Sequence, residues 1–191
     1  RYIGVTGVQT CALPICPHTA LPLVGEQVKI RGFDAYRDRP LLERWVEDPD
    51  GRLFLLSPAS GSGHDIDLFI ANSHNLIGTI LHNDRPIGCV AYLDYCATQR
   101  RAELRRLIGE ADLRELGLAH EAVALWVGYG LDALGLRKIY QYTLATHDQD
   151  IKLNEDLGFR IEGILRHELL IEDEYHDLLR MGLCRDCVRP K

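Results

Sequence analysis

The chain has 191 residues, enough for one domain with a proper core, and its 46% apolar and 26% charged residues are those of a globular protein. No run of about 18 apolar residues occurs, which argues against a membrane partner. The net charge of -6, with no basic face in the sequence, argues against nucleic acid and suits a cationic acceptor such as an amine.

In chain order, the first residues stand apart. Val5 to Ile15 reads as the in-frame translation of a sequencing adapter, so Arg1 to Cys16 are set aside as an artefact. Residues 17–191 are read as a single domain with its core over 27–186. The chain opens without Met, and the expectation is that the natural N-terminus is missing. Glu26 to Arg31 alternates apolar and polar, as a strand does. Leu41, Leu42, Trp45 and Val46 have helical spacing over Arg37 to Val46, and Asp48-Pro-Asp-Gly51 ends that helix. Ser57 to Gly63 is a Ser- and Gly-rich loop. Asp65 to Asn72 predicts a short helix with Ile66, Phe69 and Ile70 inward. Leu76 to Leu81 and Pro86 to Asp94 are strands joined by a hairpin turn at His82-Asn-Asp-Arg85. Ala102 to Ile108 is the next strand.

A long helix is predicted from Gly117 to about Leu134, burying Leu118, Ala122, Leu125, Trp126, Tyr129 and Ala133. Gly128 and Gly130 inside it each cost about 1 kcal/mol against Ala, which predicts a close packing partner there. Lys138 to Ala145 is a buried strand. Thr146 and Gln149 are spaced as a capping box for a helix that ends at Leu157-Gly-Phe159. A hairpin turning at Glu172-Asp-Glu174 closes the chain.

The most informative stretch is Arg114-Glu115-Leu116-Gly117-Leu118-Ala119, between a strand and the long helix. The first-turn N–H groups of a helix have no intrahelical acceptor, and the helix dipole favours an anion beside them. Gly117 and Ala119 let the backbone approach a ligand closely, and Arg114 adds a charged donor.

With LIGEADLRELGLAHEA (Leu107 to Ala122), RKIYQYTLAT (Arg137 to Thr146), HDQDIKLNEDLGF (His147 to Phe159) and the final hairpin RIEGILRHELLIEDEYHDLLRMGL (Arg160 to Leu183), four blocks follow in one order. In that order and spacing the chain resembles the GNAT superfamily of N-acetyltransferases, over about Gln27 to Asp186. LLERWVEDPD (Leu41 to Asp50) suits the branch with the ribosomal-protein N-terminal acetyltransferases. The resemblance implies an α+β fold, a mixed and mostly antiparallel splayed sheet of about seven strands flanked by about four helices. It implies acetyl-CoA as co-substrate. The pantetheine arm would pair with the strand edge at Leu107 and Ile108, and the pyrophosphate would lie on Arg114, Glu115, Leu116, Gly117, Leu118 and Ala119. It also implies a small-molecule or peptide amine acceptor.

Acetyl transfer to an amine needs a base, a donor to the carbonyl oxygen and a proton or donor for the sulfur. Glu103 is the candidate base, acting through water; the plainer alternative is a strand Glu paired with Arg101 or Arg105. A backbone N–H near Ile108 is the expected donor to the oxygen. The family commonly has Asn where this chain has His147, and a Tyr acid where it has Asn154. Asn154 can donate a hydrogen bond to sulfur but has no proton to give up. His147 can contact the cofactor, serve as an acid or base, or simply begin a helix. Tyr92, Tyr95, Tyr140 and Tyr142 are further candidate donors. A working acetyltransferase and a binding module that holds acyl-CoA without turnover both fit.

Cys89, Cys96, Cys184 and Cys187 are read as reduced thiols of a cytoplasmic protein. Cys184-x-x-Cys187, with His167 and His176 upstream, lacks the second pair and the spacing of a zinc module, so no metal is expected. Monomer and homodimer both remain open.

Overall fold

The computed structural model describes residues 21–55, 65–171 and 173–185. The adapter-like segment, the loop expected over Ser57 to Gly63, Glu172 and Cys187 lie outside them. Eight strands are present among these residues: β1 (Leu23–Val24), β2 (Val28–Gly32), β3 (Leu76–His82), β4 (Arg85–Cys96), β5 (Arg101–Ile108), β6 (Lys138–Leu144), β7 (Arg160–Ile171) and β8 (Glu174–Cys184). They form one sheet in the order β1-β2-β3-β4-β5-β6-β8-β7. Neighbours run antiparallel except for β5 and β6, which are parallel. The helices are α1 (Ala35–Glu47), a single turn α2 (Pro49–Arg52), α3 (Ile66–Ala71), α4 (Leu118–Asp132) and α5 (Asp148–Asp156).

The elements follow from local chemistry. Asn83 and Asp84 both take positive φ, 51° and 60°, so the β3–β4 connection is the tight hairpin expected of His82-Asn-Asp-Arg85. Asp34 caps α1 through Tyr36 N and Arg37 N, and Asp65 caps α3 through Leu68 N. The sheet separates two apolar cores. One, under α4, gathers Ile30, Ile80, Tyr92, Leu104, Trp126, Ile139, Phe159 and Met181. The other, under α1 and α3, gathers Leu42, Trp45, Phe54, Phe69, Leu93 and Leu107.

Four expectations are corrected. The strand count is eight because Leu23–Val24 adds a short edge pair to β2. The Thr146–Gln149 capping box does not form: the N-cap of α5 is His147, without a side-chain cap. Ala133 is exposed, because α4 ends at Asp132 and its buried stripe runs through Val123 and Val127 instead. Cys184 is disulfide-bonded, not reduced, whereas Cys89 and Cys96 are free.

Candidate active site

The site is made by two strands that start together and part. β5 and β6 share three register pairs, Arg101 with Lys138, Ala102 with Ile139 and Glu103 with Tyr140. Beyond Glu103, β5 keeps β4 on one side, and β6 keeps β8 on its other side. The facing edges from Leu104 to Ile108 and from Gln141 to Leu144 are left apart. A cleft of about 600 Å³ opens there, lined by residues of both edges together with Phe54, Arg114, Ala119 and Thr146 to Asp150. An open strand edge carries backbone donors and acceptors that an extended ligand arm can satisfy.

At the far end of this edge the β5–α4 loop is pinned. Glu110 accepts from Trp45 Nε1 (3.0 Å) and Arg85 Nη2 (2.6 Å) and pairs with Arg44. Arg114 donates through Nε to the Ile108 carbonyl (3.1 Å) and through Nη2 to Asp48 Oδ2 (2.9 Å). The N-cap of α4 is Gly117, in the left-handed region at φ 75°, with no side chain to cap the helix. Glycine takes that conformation without strain and puts no side chain over the first-turn N–H groups, of which His120 N donates to the Gly117 carbonyl at 3.0 Å. Leu107, Ile108, Arg114 and Ala119 lie on the cleft wall. Glu115, Leu116 and Gly117 are exposed beside it, and the Leu118 side chain is buried in the core under its own N–H.

The two faces of the parting differ. On the α1 side, Glu103 is fully buried at the vertex and ion-paired with Arg105 Nε at 2.7 Å. Tyr140 and Tyr142 share that face, their rings edge-on at 6.0 Å, and the Arg180 guanidinium lies 4.6 Å from the Tyr140 centroid. Burial, with Glu103 adjacent, pushes the Tyr140 phenol up to about 12. Burial also raises Tyr142; Arg180 pulls it back and Glu103 adds to the rise. Asp94, at φ 50° in a bulge of β4 opposite β5, adds a carboxylate close enough to act on Tyr140.

On the α5 side a polar network fills the wedge. Arg106 crosses from β5 and donates through Nη1 to Asn154 Oδ1 (2.9 Å) and Gln141 Oε1 (3.3 Å), while Nη2 pairs with Asp150 at 2.7 Å. Asn154 Nδ2 donates to Thr143 Oγ1 at 3.1 Å and contacts Met181 Sδ at 3.7 Å.

The expected site residues are therefore not all brought together. Asn154 is fully buried, its amide is used by Arg106 and Thr143, and it is not on the cleft wall. That arrangement does not match an amide facing the cofactor sulfur. His147 is on the wall, half exposed, with Nδ1 3.9 Å from Asp150, but at the opposite end from Glu103. Arg106, Gln141 and Asp150 were missed. The signal for Arg106 was present: Arg105 and Arg106 are adjacent in a strand, so one must enter the face that holds Ala102, Leu104 and Ile108.

A sheet that splays beside a helix N-terminus held open by a left-handed glycine is the arrangement expected of the acyl-CoA-dependent acyltransferase fold. Residues 27–160 match the model of the acetyltransferase (GNAT) domain, and the chain belongs to that family. It is 33% identical to the spermidine N(1)-acetyltransferase of Escherichia coli (strain K12) over 94 residues, 49% of this chain and 50% of that one. It is 30% identical to the spermidine N(1)-acetyltransferase of Vibrio cholerae over 95 residues, 50% of this chain and 54% of that one. The chain thus spans about half the length of the curated relatives it matches. In three dimensions it resembles the crystal structure of the Vibrio cholerae spermidine N-acetyltransferase in complex with CoA and spermine. The TM-score is 0.72 at 21% identity, over 84% of this chain and 97% of that one. No helix of the described residues is long and apolar enough to cross a membrane.

Proposed function

We propose that this protein moves an acetyl group from acetyl-CoA directly to a primary amine. The parting of β5 and β6 after Glu103 and Tyr140 carries the reading. It offers an open strand edge of the right direction, with Arg114 and the α4 N-terminus at one end and a buried carboxylate at the other. The pantetheine arm lies along Leu104 to Ile108 as an added strand, the phosphates meet Arg114, Ala119 and the backbone of residues 115–119, and the thioester lies near the vertex. Glu103, fully buried and off the cleft wall, takes the proton of the attacking amine through water. The amine enters on the face of Tyr140 and Tyr142, where Asp94 adds a carboxylate and Arg180 a guanidinium.

The sequence likeness lies with proteins described as spermidine acetyltransferases, so a polyamine is the first acceptor to test. A peptide N-terminus, which the ribosomal-protein branch would take, is the second. A cytoplasmic site of action is part of the same proposal; the free thiols Cys89 and Cys96 support it and the disulfide at Cys184 weighs against it. So is the reading of residues 17–191 as the domain. The non-catalytic alternative is favoured by one observation, that the residue in the place of the family's acid is a buried Asn154.

The deciding experiment gives the full chain acetyl-CoA with spermidine, spermine, a short peptide with a free N-terminus and an aminoglycoside, and follows free thiol. Amine-dependent thiol release is expected. Acetyl-CoA binding without it would leave only the binding module, and no binding would remove both readings.

A further inference from the structure

The register of the splayed strands decides which side chain can reach the departing sulfur. A strand-like arm between β5 and β6 can go no deeper than the last shared pair, Glu103 with Tyr140. Its phosphate end is fixed at Ile108, Arg114 and Ala119, so its reactive end lies at the vertex, roughly 16 Å away at about 3.3 Å per residue. His147 lies beyond the end of β6 at Leu144, itself roughly 13 Å from Tyr140, so it belongs to the phosphate end of the cleft. Asn154 is enclosed behind Arg106 and Thr143, and a carboxamide has no proton to release near neutral pH.

Tyr142 differs from both. It is two residues from the vertex, on the face that carries Glu103 and Tyr140. It lies on the cleft wall and is only partly buried, whereas Tyr140 is 4% exposed and is not on that wall. Arg180 lies 5.9 Å from its ring centroid, so a phenolate formed there has a cation beside it. Burial keeps the hydroxyl protonated through the physiological range, which leaves a proton available to give.

We propose that Tyr142 delivers the proton to the departing CoA sulfur, a role that rests on the acetyltransferase reading above. The amine nitrogen attacks the thioester carbonyl carbon, the C–N bond forms and the C–S bond breaks. The proton lost by the amine passes through water to Glu103, which is fully buried and paired with Arg105. The Tyr142 hydroxyl proton passes to sulfur. Glu103 then returns its proton to the phenolate, which restores both groups and leaves an N-acetylated amine and the CoA thiol.

The test compares the parent chain, Tyr142→Phe and Tyr140→Phe, using acetyl-CoA and whichever amine of the panel the parent acetylates. For Tyr142→Phe, kcat is expected to fall by about 100-fold, the lower end of a general acid's contribution. Acetyl-CoA affinity measured by calorimetry should stay within about twofold, because the ring and its packing remain. Retention of kcat within about threefold overturns the assignment. So does a loss carried by Tyr140→Phe instead, or a loss of acetyl-CoA binding in Tyr142→Phe, since the residue then shapes the cleft. A parent chain that binds acetyl-CoA but turns over no amine overturns the acetyltransferase reading itself, and does so before any variant is made.

Discussion

Arg106 Nη1 donates to Asn154 Oδ1 at 2.9 Å, and this bond joins the open half of β5 to α5 across the wedge. Asn154 is fully buried and also donates to Thr143, so its amide is satisfied at both ends. Asn154→Ala is expected to cost about 2 kcal/mol by removing one of Arg106's acceptors and the donor to Thr143. Asn154→Tyr, which installs the family's residue, is expected to destabilise by about 1–3 kcal/mol through overpacking rather than to raise activity. Urea unfolding together with thiol-release rates checks both. A Tyr variant as stable as the parent and faster would show that the pocket was kept open for a ring.

The same pair shows what was legible beforehand. The order of elements and the hairpin at His82 to Arg85 could be read because each is set by local chemistry or spacing, whereas the cofactor roles of residues 114–119 and of the edge at Leu107 and Ile108 are implied by the family resemblance and belong to the proposal. The inward direction of residue 154 could also be read from its distance to Ile151 and Leu157. Its partner could not, because Arg106 lies 48 residues away and meets it only once β5 and β6 have parted. Likewise, Gly130 has the close neighbour expected of it while Gly128 has open space, a difference that depends on which strand passes beneath α4. The separation of His147 from the vertex is a property of strand register, and no spacing within one block contains it.

Those two glycines make a paired test. A Cβ on Gly130 would lie 2.2 Å from Tyr92 Oη, whose hydroxyl donates to the Trp126 carbonyl at 2.7 Å. Gly130→Ala is therefore expected to lose about 1–3 kcal/mol. A Cβ on Gly128 meets nothing within 4 Å, so Gly128→Ala should gain up to about 1 kcal/mol from helix propensity. Thermal melts of the two variants should move in opposite directions, and a shared direction would contradict the packing of α4 on β4.

Arg114 holds the end of β5 and faces the cleft. Arg114→Ala should raise the acetyl-CoA KM by roughly tenfold, as expected for one charge-assisted contact, with kcat changed by less than about threefold. Steady-state kinetics with acetyl-CoA varied checks it. An equal fall in kcat at unchanged KM would place Arg114 in the chemical step instead.

The Asp38 carboxylate, 1% exposed, lies between β2, β3 and α1 and accepts from Arg31 (2.6 and 2.7 Å), Thr79 (2.7 Å) and Asp34 N (2.9 Å). Burial alone would raise its pKa, but the hydrogen bonds from Arg31, Asp34 N and Thr79 and the charge of Arg31 outweigh it and hold it below 3.8. With the folded value depressed, the stabilisation is present above the unfolded value and is lost as pH falls from there through the folded value. Acid unfolding of the parent chain should therefore steepen below about pH 4, the ordinary range of an Asp carboxyl. Asp38→Asn should lose about 2–3 kcal/mol at neutral pH, because the charged partner of Arg31 is gone and one amide N–H faces donors. That variant should also lose less stability than the parent between pH 5 and pH 3, in guanidinium titrations run across this range. Parallel pH dependences in the two proteins would remove Asp38 as the source of the acid sensitivity.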